Sequence, residues 1–218
     1  MSRYQAFIFD LNGTIIHDMP YHVKVWQDIV NELGAGLSLE ETQAQCYGKN
    51  QDLLERVFPG RFNDEEKDRI GMQKEERYQQ WYRPDMKLIN GLDSFLQKAA
   101  AAHIPMAIGS AAIMFNINFI LDGTHTHAYF KSIVSADDVV NSKPDPETFL
   151  KNARELGIAP EKCLVFEDAP KGIEAAQRAG MDAVCITTMH PAADFAAYDN
   201  IVAFIDDYTS PALNRFSK

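Results

Sequence analysis

The sequence predicts an α/β protein with a doubly wound parallel sheet and an all-α insert after the first strand. Three observations predict this class. Short apolar runs alternate with helical patterns along residues 84–218, as they do in sheets built from strand–helix–strand units. A similar apolar run occupies residues 4–9. Between these regions, residues 16–83 have helical periodicity and few β-branched clusters, which indicates a separate helical segment.

Each strand is predicted from a short apolar run that ends in polar or turn-forming residues. In chain order the predicted strands are 4–9, 105–109, 132–135, 163–166, 182–186 and 201–205. Helices are predicted at 92–103, 113–121, 146–156 and 172–179. Gly157 and Gly180 directly follow the last two of these helices, and glycine commonly ends helices. In the insert, Val23, Trp26 and Val30 share one helical face, and the long polar stretch 64–82 is a further helix candidate.

Composition excludes several classes of protein. The 218 residues suffice for one substantial domain and a smaller one. The net charge of −10 opposes binding to nucleic acid or to an anionic membrane, which needs a basic face. The three cysteines form no CxxC pair, so reduced thiols are expected. The chain has no signal-peptide pattern and no apolar stretch near the roughly 20 residues that a membrane helix needs. We therefore expect a cytoplasmic protein.

Polar side chains follow four of the predicted strands. They are Asp10, Asn12 and Thr14 after the first strand, Ser110 after the second, Lys143 after the third, and Glu167 with Asp168 after the fourth. In doubly wound sheets the site lies at the carboxyl ends of the strands, so these side chains are expected to converge. Crowded carboxylates suit Mg²⁺, and Lys143 and Ser110 can hold a phosphoryl oxygen. Asp10 can then attack phosphorus, because aspartate is a known covalent nucleophile.

Four segments carry a resemblance to a known family. They are Asp10-Leu11-Asn12-Gly13-Thr14, Gly109-Ser110, Lys143-Pro144 and Glu167-Asp168-Ala169-Pro170-Lys171-Gly172. In this order they resemble the four motifs of the haloacid dehalogenase superfamily. The resemblance covers essentially the whole chain and implies a Rossmann-like core, residues 1–15 and 84–218, with a helical C1 cap at 16–83. Tyr21-His22, Trp26 and the stretch 48–52 are further similar to β-phosphoglucomutase-like phosphatases.

The resemblance implies a role for each matching residue. Asp10 is expected to be the nucleophile, and Ser110 and Lys143 are expected to bind the phosphoryl group. The expected Mg²⁺ ligands are Asp10, the backbone carbonyl of Asn12, and Asp168, with Glu167 acting through water. The residues expected on the substrate side are Thr14, which orients the loop, His22, Lys49, Gln51, Lys74 and Ala111. For His22 and Lys74 the alternative is a side chain that simply faces solvent.

The largest departure from the family pattern is Asn12. The pattern has a second aspartate here, which protonates the leaving oxygen and then activates water. An amide keeps the hydrogen-bonding shape but cannot exchange a proton near neutral pH, and the loss of such assistance costs about 10²–10⁴-fold in rate. Two interpretations stay open: Asn12 is native and the protein is slow or specialised, or a parent aspartate was replaced.

A second departure concerns the distal part of the substrate. Residues 111–114 lack the Ser-Lys-Asn run of β-phosphoglucomutases, and Gln51 stands where those mutases carry an arginine. The sequence therefore favours a Mg²⁺-dependent phosphatase of small phosphorylated metabolites, sugar phosphates first. The family resemblance implies a monomer. The alternatives are a β-phosphoglucomutase and a phosphometabolite-binding protein with a degenerate site.

Overall fold

The computed structural model describes residues 3–216, which fold into two compact units. One unit contains the residues up to His17 and those from Lys87 onward, and the other is Asp18–Met86. The insert was predicted to be 16–83. Ile16 lies in the first unit because it forms isolated β-bridges with Asn12 and with Leu88.

The first unit is built on a six-stranded parallel sheet. Its strands are β1 (Ala6–Phe9), β2 (Met106–Gly109), β3 (Phe130–Val134), β4 (Cys163–Glu167), β5 (Asp182–Ile186) and β6 (Ile201–Ile205). Its helices are α5 (Leu92–Ala101), α6 (Met114–Gly123), α7 (Glu147–Leu156) and α8 (Pro170–Arg178). The strand order is β3-β2-β1-β4-β5-β6, so the order reverses direction at β1. The predicted doubly wound α/β fold is confirmed.

The central strands are apolar on both faces. All four residues of β1 and all five of β4 are buried, as expected for a parallel sheet covered by helices on both sides. On one face Phe9 stacks on Phe166 with ring centroids 4.6 Å apart. Phe95 of α5 packs edge-on against Phe166, which fixes the helix to the strands that carry the site.

The edge strand β3 begins two residues earlier than predicted. Phe130 is buried and pairs with Met106. Lys131 interrupts the apolar run, so the sequence pattern hides the first residues of this strand. Its side chain is exposed, as a charged side chain on an edge strand is expected to be. Helix α8 begins at Pro170, two residues before the predicted start. Proline fits the first turn of a helix, where no N–H is needed.

The second unit is helical. Its helices are α1 (Met19–Glu32), α2 (Leu39–Gln45), α3 (Asn50–Val57) and α4 (Asp64–Tyr82), followed by a short 3₁₀ helix at Arg83–Asp85. The long helix α4 begins with a capping box in which Asn63 and Glu66 exchange hydrogen bonds. Tyr78 and Tyr82, one turn apart, are buried and stack on each other. The polar stretch is thus a helix with one buried face.

The sequence predicts that no apolar stretch is long enough for a membrane helix. Within residues 3–216, no helix combines the length and the apolar character needed to cross a membrane.

Candidate active site

Strands β1 and β4 bring the first two carboxylates together. Phe9 pairs with Phe166 in the parallel register, and the amide of Asp10 donates to the Phe166 carbonyl at 2.9 Å. Asp10, the residue after β1, and Glu167, the last residue of β4, therefore lie side by side at this edge of the sheet. Both are buried, so each carboxylate needs a partner to offset the cost of desolvation.

Lys143 is that partner for both groups. Its Nζ donates to Asp10 Oδ1 at 2.6 Å and to Glu167 Oε1 at 2.8 Å, although Lys143 is more than 20 residues from either in the chain. Burial alone would lower the pKa of Lys143, but the charges of Asp10 and Glu167 raise it above its ordinary value. The ammonium is therefore charged at neutral pH. Glu167 Oε2 in addition accepts from the amide of Ala169 at 2.7 Å.

Three carboxylates form a cluster that could hold a cation. One oxygen from each of Asp10, Glu167 and Asp168 lies within 4.8 Å of the others. Burial raises the pKa of Asp168 well above its ordinary value, and the charges of Glu167 and Asp10 add to the effect. Three buried carboxylates face one ammonium, so a cation bound by hard oxygen ligands would relieve the repulsion. The residues present fit Mg²⁺.

Two glycines make room for these carboxylates. A Cβ at Gly13 would lie 2.0 Å from Asp168 Oδ2, and a Cβ at Gly172 would lie 1.6 Å from Glu167 Oε1. Gly13 also has a φ of +81°, which disfavours any side chain there. The backbone therefore approaches both carboxylates at a distance that only glycine allows.

The loop after β1 is held by hydroxyl groups from distant segments. Thr188 donates to the carbonyl of Gly13 at 2.7 Å, and Tyr208 donates to the carbonyl of Thr14 at 3.1 Å. The Thr14 hydroxyl lies 3.5 Å from Asp168 Oδ1, so Thr14 contacts the carboxylate cluster. Thr188 and Tyr208 were not predicted, because nothing in their local sequence shows that they reach this loop. Asn12 lies in the middle of the loop, next to Gly13.

Ser110 follows β2 and is buried. Its amide donates to the carbonyl of Val134 in β3 at 3.0 Å, and its hydroxyl accepts from the amide of Ala112 at 3.1 Å. Ala111 lies between them and is half-buried. The strand end thus places Ser110 at the same edge of the sheet as Asp10.

In the helical unit, two predicted substrate-side residues belong to a buried polar cluster. Lys74 Nζ lies 2.6 Å from His22 Nδ1 and 2.9 Å from Glu75 Oε2. His22 Nε2 lies 3.1 Å from a carboxylate oxygen of Asp18, which also accepts from the Tyr78 hydroxyl. Both His22 and Lys74 are buried, so the alternative that they face solvent is wrong.

Glu75 balances the charge of Lys74. Burial would raise the pKa of Glu75, but the charges of Lys74 and His22 and a hydrogen bond from Asn50 lower it to about 2. Asp18 and Glu75 were not predicted as members of a polar cluster. The signal that could have indicated it is an acidic residue beside a basic one on an otherwise aromatic helical face.

The other two predicted residues of this unit lie at the start of α3. The backbone amide of Lys49 donates to Asp52 Oδ2 at 2.9 Å, as an N-cap residue. Gln51 is exposed, and its side chain donates to Asp68 of α4 at 2.7 Å. Their roles toward a substrate stay predictions.

The Rossmann-like parallel sheet and the buried carboxylate cluster beside its strand ends are typical of one class of hydrolases. Residues 7–186 match the haloacid dehalogenase-like hydrolase family, and the chain belongs to that family.

Relatives and solved structures agree with this assignment. The chain is 30% identical over 182 residues to fructose-1-phosphate phosphatase YqaB of Escherichia coli (strain K12), covering 84% of this chain and 96% of that protein. A family IA, variant 3 hydrolase from Entamoeba histolytica HM-1:IMSS superposes with a TM-score of 0.86 at 25% identity, over 98% of this chain and 100% of that one. A β-phosphoglucomutase from Clostridium difficile gives 0.83 at 25% identity, over 94% and 92% of the two chains.

Proposed function

We propose that this hydrolase is a Mg²⁺-dependent phosphatase of small phosphorylated metabolites, with sugar phosphates as the first candidates. The observation that carries the proposal is the buried group of Asp10, Lys143, Glu167 and Asp168, in which one ammonium bridges two carboxylates beside a third. These side chains can supply a nucleophile, a cation that binds the phosphoryl group, and a set of metal ligands at one site. The similarity to a fructose-1-phosphate phosphatase supports the substrate class.

The reaction proceeds in two displacements at phosphorus. In the first, an oxygen of Asp10 bonds to phosphorus while the bond to the ester oxygen breaks, and the leaving oxygen takes up a proton from solvent. In the second, water attacks phosphorus, the bond to Asp10 breaks, and phosphate is released with loss of a proton to solvent. Lys143 and the Ser110 hydroxyl hold the oxygens of the transferring group, on which charge is spread in the transition state.

The metal would be held by Asp10, Asp168 and the backbone carbonyl of Asn12, with Glu167 in support. When bound, Mg²⁺ would offset the charge of the carboxylates and of the phosphoryl oxygens. Lys143 neutralises one of the three carboxylate charges, and the proposed cation would neutralise the other two.

Asn12 is expected to slow the two displacements to different degrees for some substrates. Its amide can neither protonate the leaving oxygen nor take a proton from water. An aryl phosphate has a stable leaving anion that needs little protonation, so its transfer to Asp10 should be less affected by Asn12. The release of phosphate from Asp10 still needs an activated water. We therefore expect the phosphorylated form of Asp10 to accumulate with an aryl phosphate.

The proposal extends to the helical unit for substrate choice. We propose that the part of the substrate that does not react is contacted by four residues of the helical unit, His22, Lys49, Gln51 and Lys74. In the first unit, Ala111 is proposed to bind substrate. A monomer in the cytoplasm that acts on a small molecule stays the expectation from the sequence.

The test compares the wild-type protein with the Asn12→Asp variant. Phosphate release is measured with and without Mg²⁺ over a panel of sugar phosphates, pyrophosphate and an aryl phosphate, with Asp10→Asn as the inactive control. We expect Mg²⁺-dependent release and a gain of about 10²-fold or more in the Asn12→Asp variant on sugar phosphates. An isomeric sugar phosphate as product, in place of free phosphate, would instead indicate a mutase.

The binding-protein alternative has its own outcome. If neither protein releases phosphate from any substrate while both bind Mg²⁺ and inorganic phosphate, the phosphatase proposal is wrong. Asp10 would then be a ligand and not a nucleophile.

A further inference from the structure

Helix α7 supports both residues that are proposed to bind the phosphoryl group. The Nζ of Lys143 lies 4.6 Å from the ring centroid of Phe149. Asn152, one turn further along, donates to the carbonyl of Ile108 at 2.9 Å, two residues before Ser110. A cation over an aromatic ring is a favourable contact, so α7 contributes directly to the position of the ammonium.

The first residue of α7 holds the segment that leads to Lys143. The amide of Val140 donates to both carboxylate oxygens of Glu147, at 3.1 and 3.2 Å, and the amide of Asn141 donates to Oε2 at 2.9 Å. Hydrogen bonds to a carboxylate are about twice as strong as those between neutral groups. Glu147 also stands at the positive end of the helix, where its charge is favourable.

Side-chain burial does little to hold this segment. Val140 is 83% exposed, and Asn141 is also exposed. A backbone stretch without buried side chains opens easily unless hydrogen bonds restrain it. The carboxylate of Glu147 supplies that restraint.

Hydrogen bonds also hold the C-terminal end of the segment between Asn141 and Glu147. The amide of Asp145 donates to the carbonyl of Ser142 at 3.1 Å, and the amide of Glu147 donates to Asp145 Oδ1 at 2.9 Å. Lys143 therefore lies inside a short loop whose two ends both meet the first residue of α7.

We propose that Glu147 is a positioning residue for Lys143: by binding the amides of Val140 and Asn141, it keeps the ammonium between Asp10 and Glu167. The consequence for catalysis rests on the proposed phosphatase function, in which Lys143 holds the transferring phosphoryl group. A displacement of about 1 Å in a positioned group can cost about 10²-fold in rate.

The first measurement does not depend on activity. Lys143 is methylated with formaldehyde and cyanoborohydride under native conditions, and the peptide that contains it is followed by mass spectrometry. In the wild-type protein the Lys143 side chain is only 8% exposed and makes two ion pairs, so labelling should be slow. We expect labelling about tenfold faster in Glu147→Ala, because the loop opens more often. We expect a smaller increase in Glu147→Gln, which keeps one acceptor oxygen but loses the charge and the second acceptor.

The second measurement is kinetic. We expect kcat/KM of Glu147→Ala to fall about 10–100-fold, mainly through kcat, and that of Glu147→Gln to fall less than that of Glu147→Ala. The matched control is Glu155→Ala, which removes a glutamate of the same helix and its hydrogen bond from Ser132 but leaves the loop intact. It should change neither labelling nor kcat/KM.

The outcomes separate the two proposals. If the wild-type protein releases no phosphate, the proposed function fails, and the labelling rates still decide the role of Glu147. If Glu147→Ala is labelled as slowly as the wild type, or if Glu155→Ala is affected equally, the positioning role is wrong. Should Glu147→Ala not fold, Glu147→Asp keeps the charge with a shorter reach, and labelling at the wild-type rate in that variant would overturn the proposal.

Discussion

The close approach of the Gly13 backbone to the Asp168 carboxylate predicts a specific effect of adding one methyl group. In Gly13→Ala the new Cβ would lie 2.0 Å from Asp168 Oδ2 and 2.5 Å from its Cγ. Both distances are far below van der Waals contact, so the carboxylate or the loop must move. The φ of +81° adds a cost of about 1–2 kcal/mol for alanine.

Gly34→Ala separates these two contributions. Gly34 has a φ of +95°, and a Cβ there would meet no atom within 4 Å. We expect this control to lose about 1–2 kcal/mol in the free energy of unfolding and to keep its metal affinity. In Gly13→Ala we expect a similar or larger loss of stability and, in addition, a metal affinity weakened about 10–100-fold, as for disturbed metal environments in general.

The assay is a titration of each protein with Mg²⁺ or Mn²⁺ by calorimetry, together with urea unfolding of the metal-free protein. Wild-type metal affinity in Gly13→Ala would show that Asp168 does not hold the ion in the position assigned to it. An equal loss of metal affinity in Gly34→Ala would show that the effect comes from general destabilisation.

Three further predictions concern the ammonium, the helical unit and the core. Lys143→Met should lower kcat/KM by about 10²–10³-fold, measured by phosphate release; a decrease of less than threefold would contradict its role. Glu75 has a pKa lowered to about 2, so its ionised form stabilises the fold above its ordinary pKa of 4.5, and this contribution is lost as the pH falls toward 2. The stability difference between wild type and Glu75→Gln should therefore shrink by about 2 kcal/mol between pH 7 and pH 3 in urea titrations, and a constant difference would contradict the pairing with Lys74. Phe166→Ala should destabilise the protein by about 3–5 kcal/mol in urea, because Phe166 is fully buried against Phe9; a loss below 1 kcal/mol would contradict the packing described.

The sheet and the convergence of the core residues were predictable because they follow from local patterns and one topological rule. Buried parallel strands are short apolar runs, and the sequences of β1 and β4 both have this pattern. Once alternation with helices indicated a doubly wound sheet, Asp10 and Glu167 had to leave it at the same edge. The position of the Lys143 ammonium between Asp10 and Glu167 could not be predicted from periodicity, because the loop that carries Lys143 has no periodic pattern.

The features that were not predictable depend on contacts between distant residues. Thr188 and Tyr208 hold the loop after β1 through hydrogen bonds to backbone carbonyls, and a hydroxyl that binds a carbonyl leaves no mark in the sequence. The burial of Lys74 was hidden for a different reason. Its helix is rich in charged residues, and composition alone would place the Lys74 ammonium in solvent. In the structure, the buried carboxylate of Glu75 compensates the charge of Lys74.

The most direct test of the central claim is to look for phosphate on Asp10. The wild-type protein is mixed with Mg²⁺ and an aryl phosphate, quenched in acid within the first turnovers, and digested for mass spectrometry, with Asp10→Asn as control. The proposed mechanism predicts one phosphate on the peptide that contains Asp10, more of it in the wild type than in Asn12→Asp, and none in the control. Turnover without any phosphate on Asp10 would contradict this mechanism.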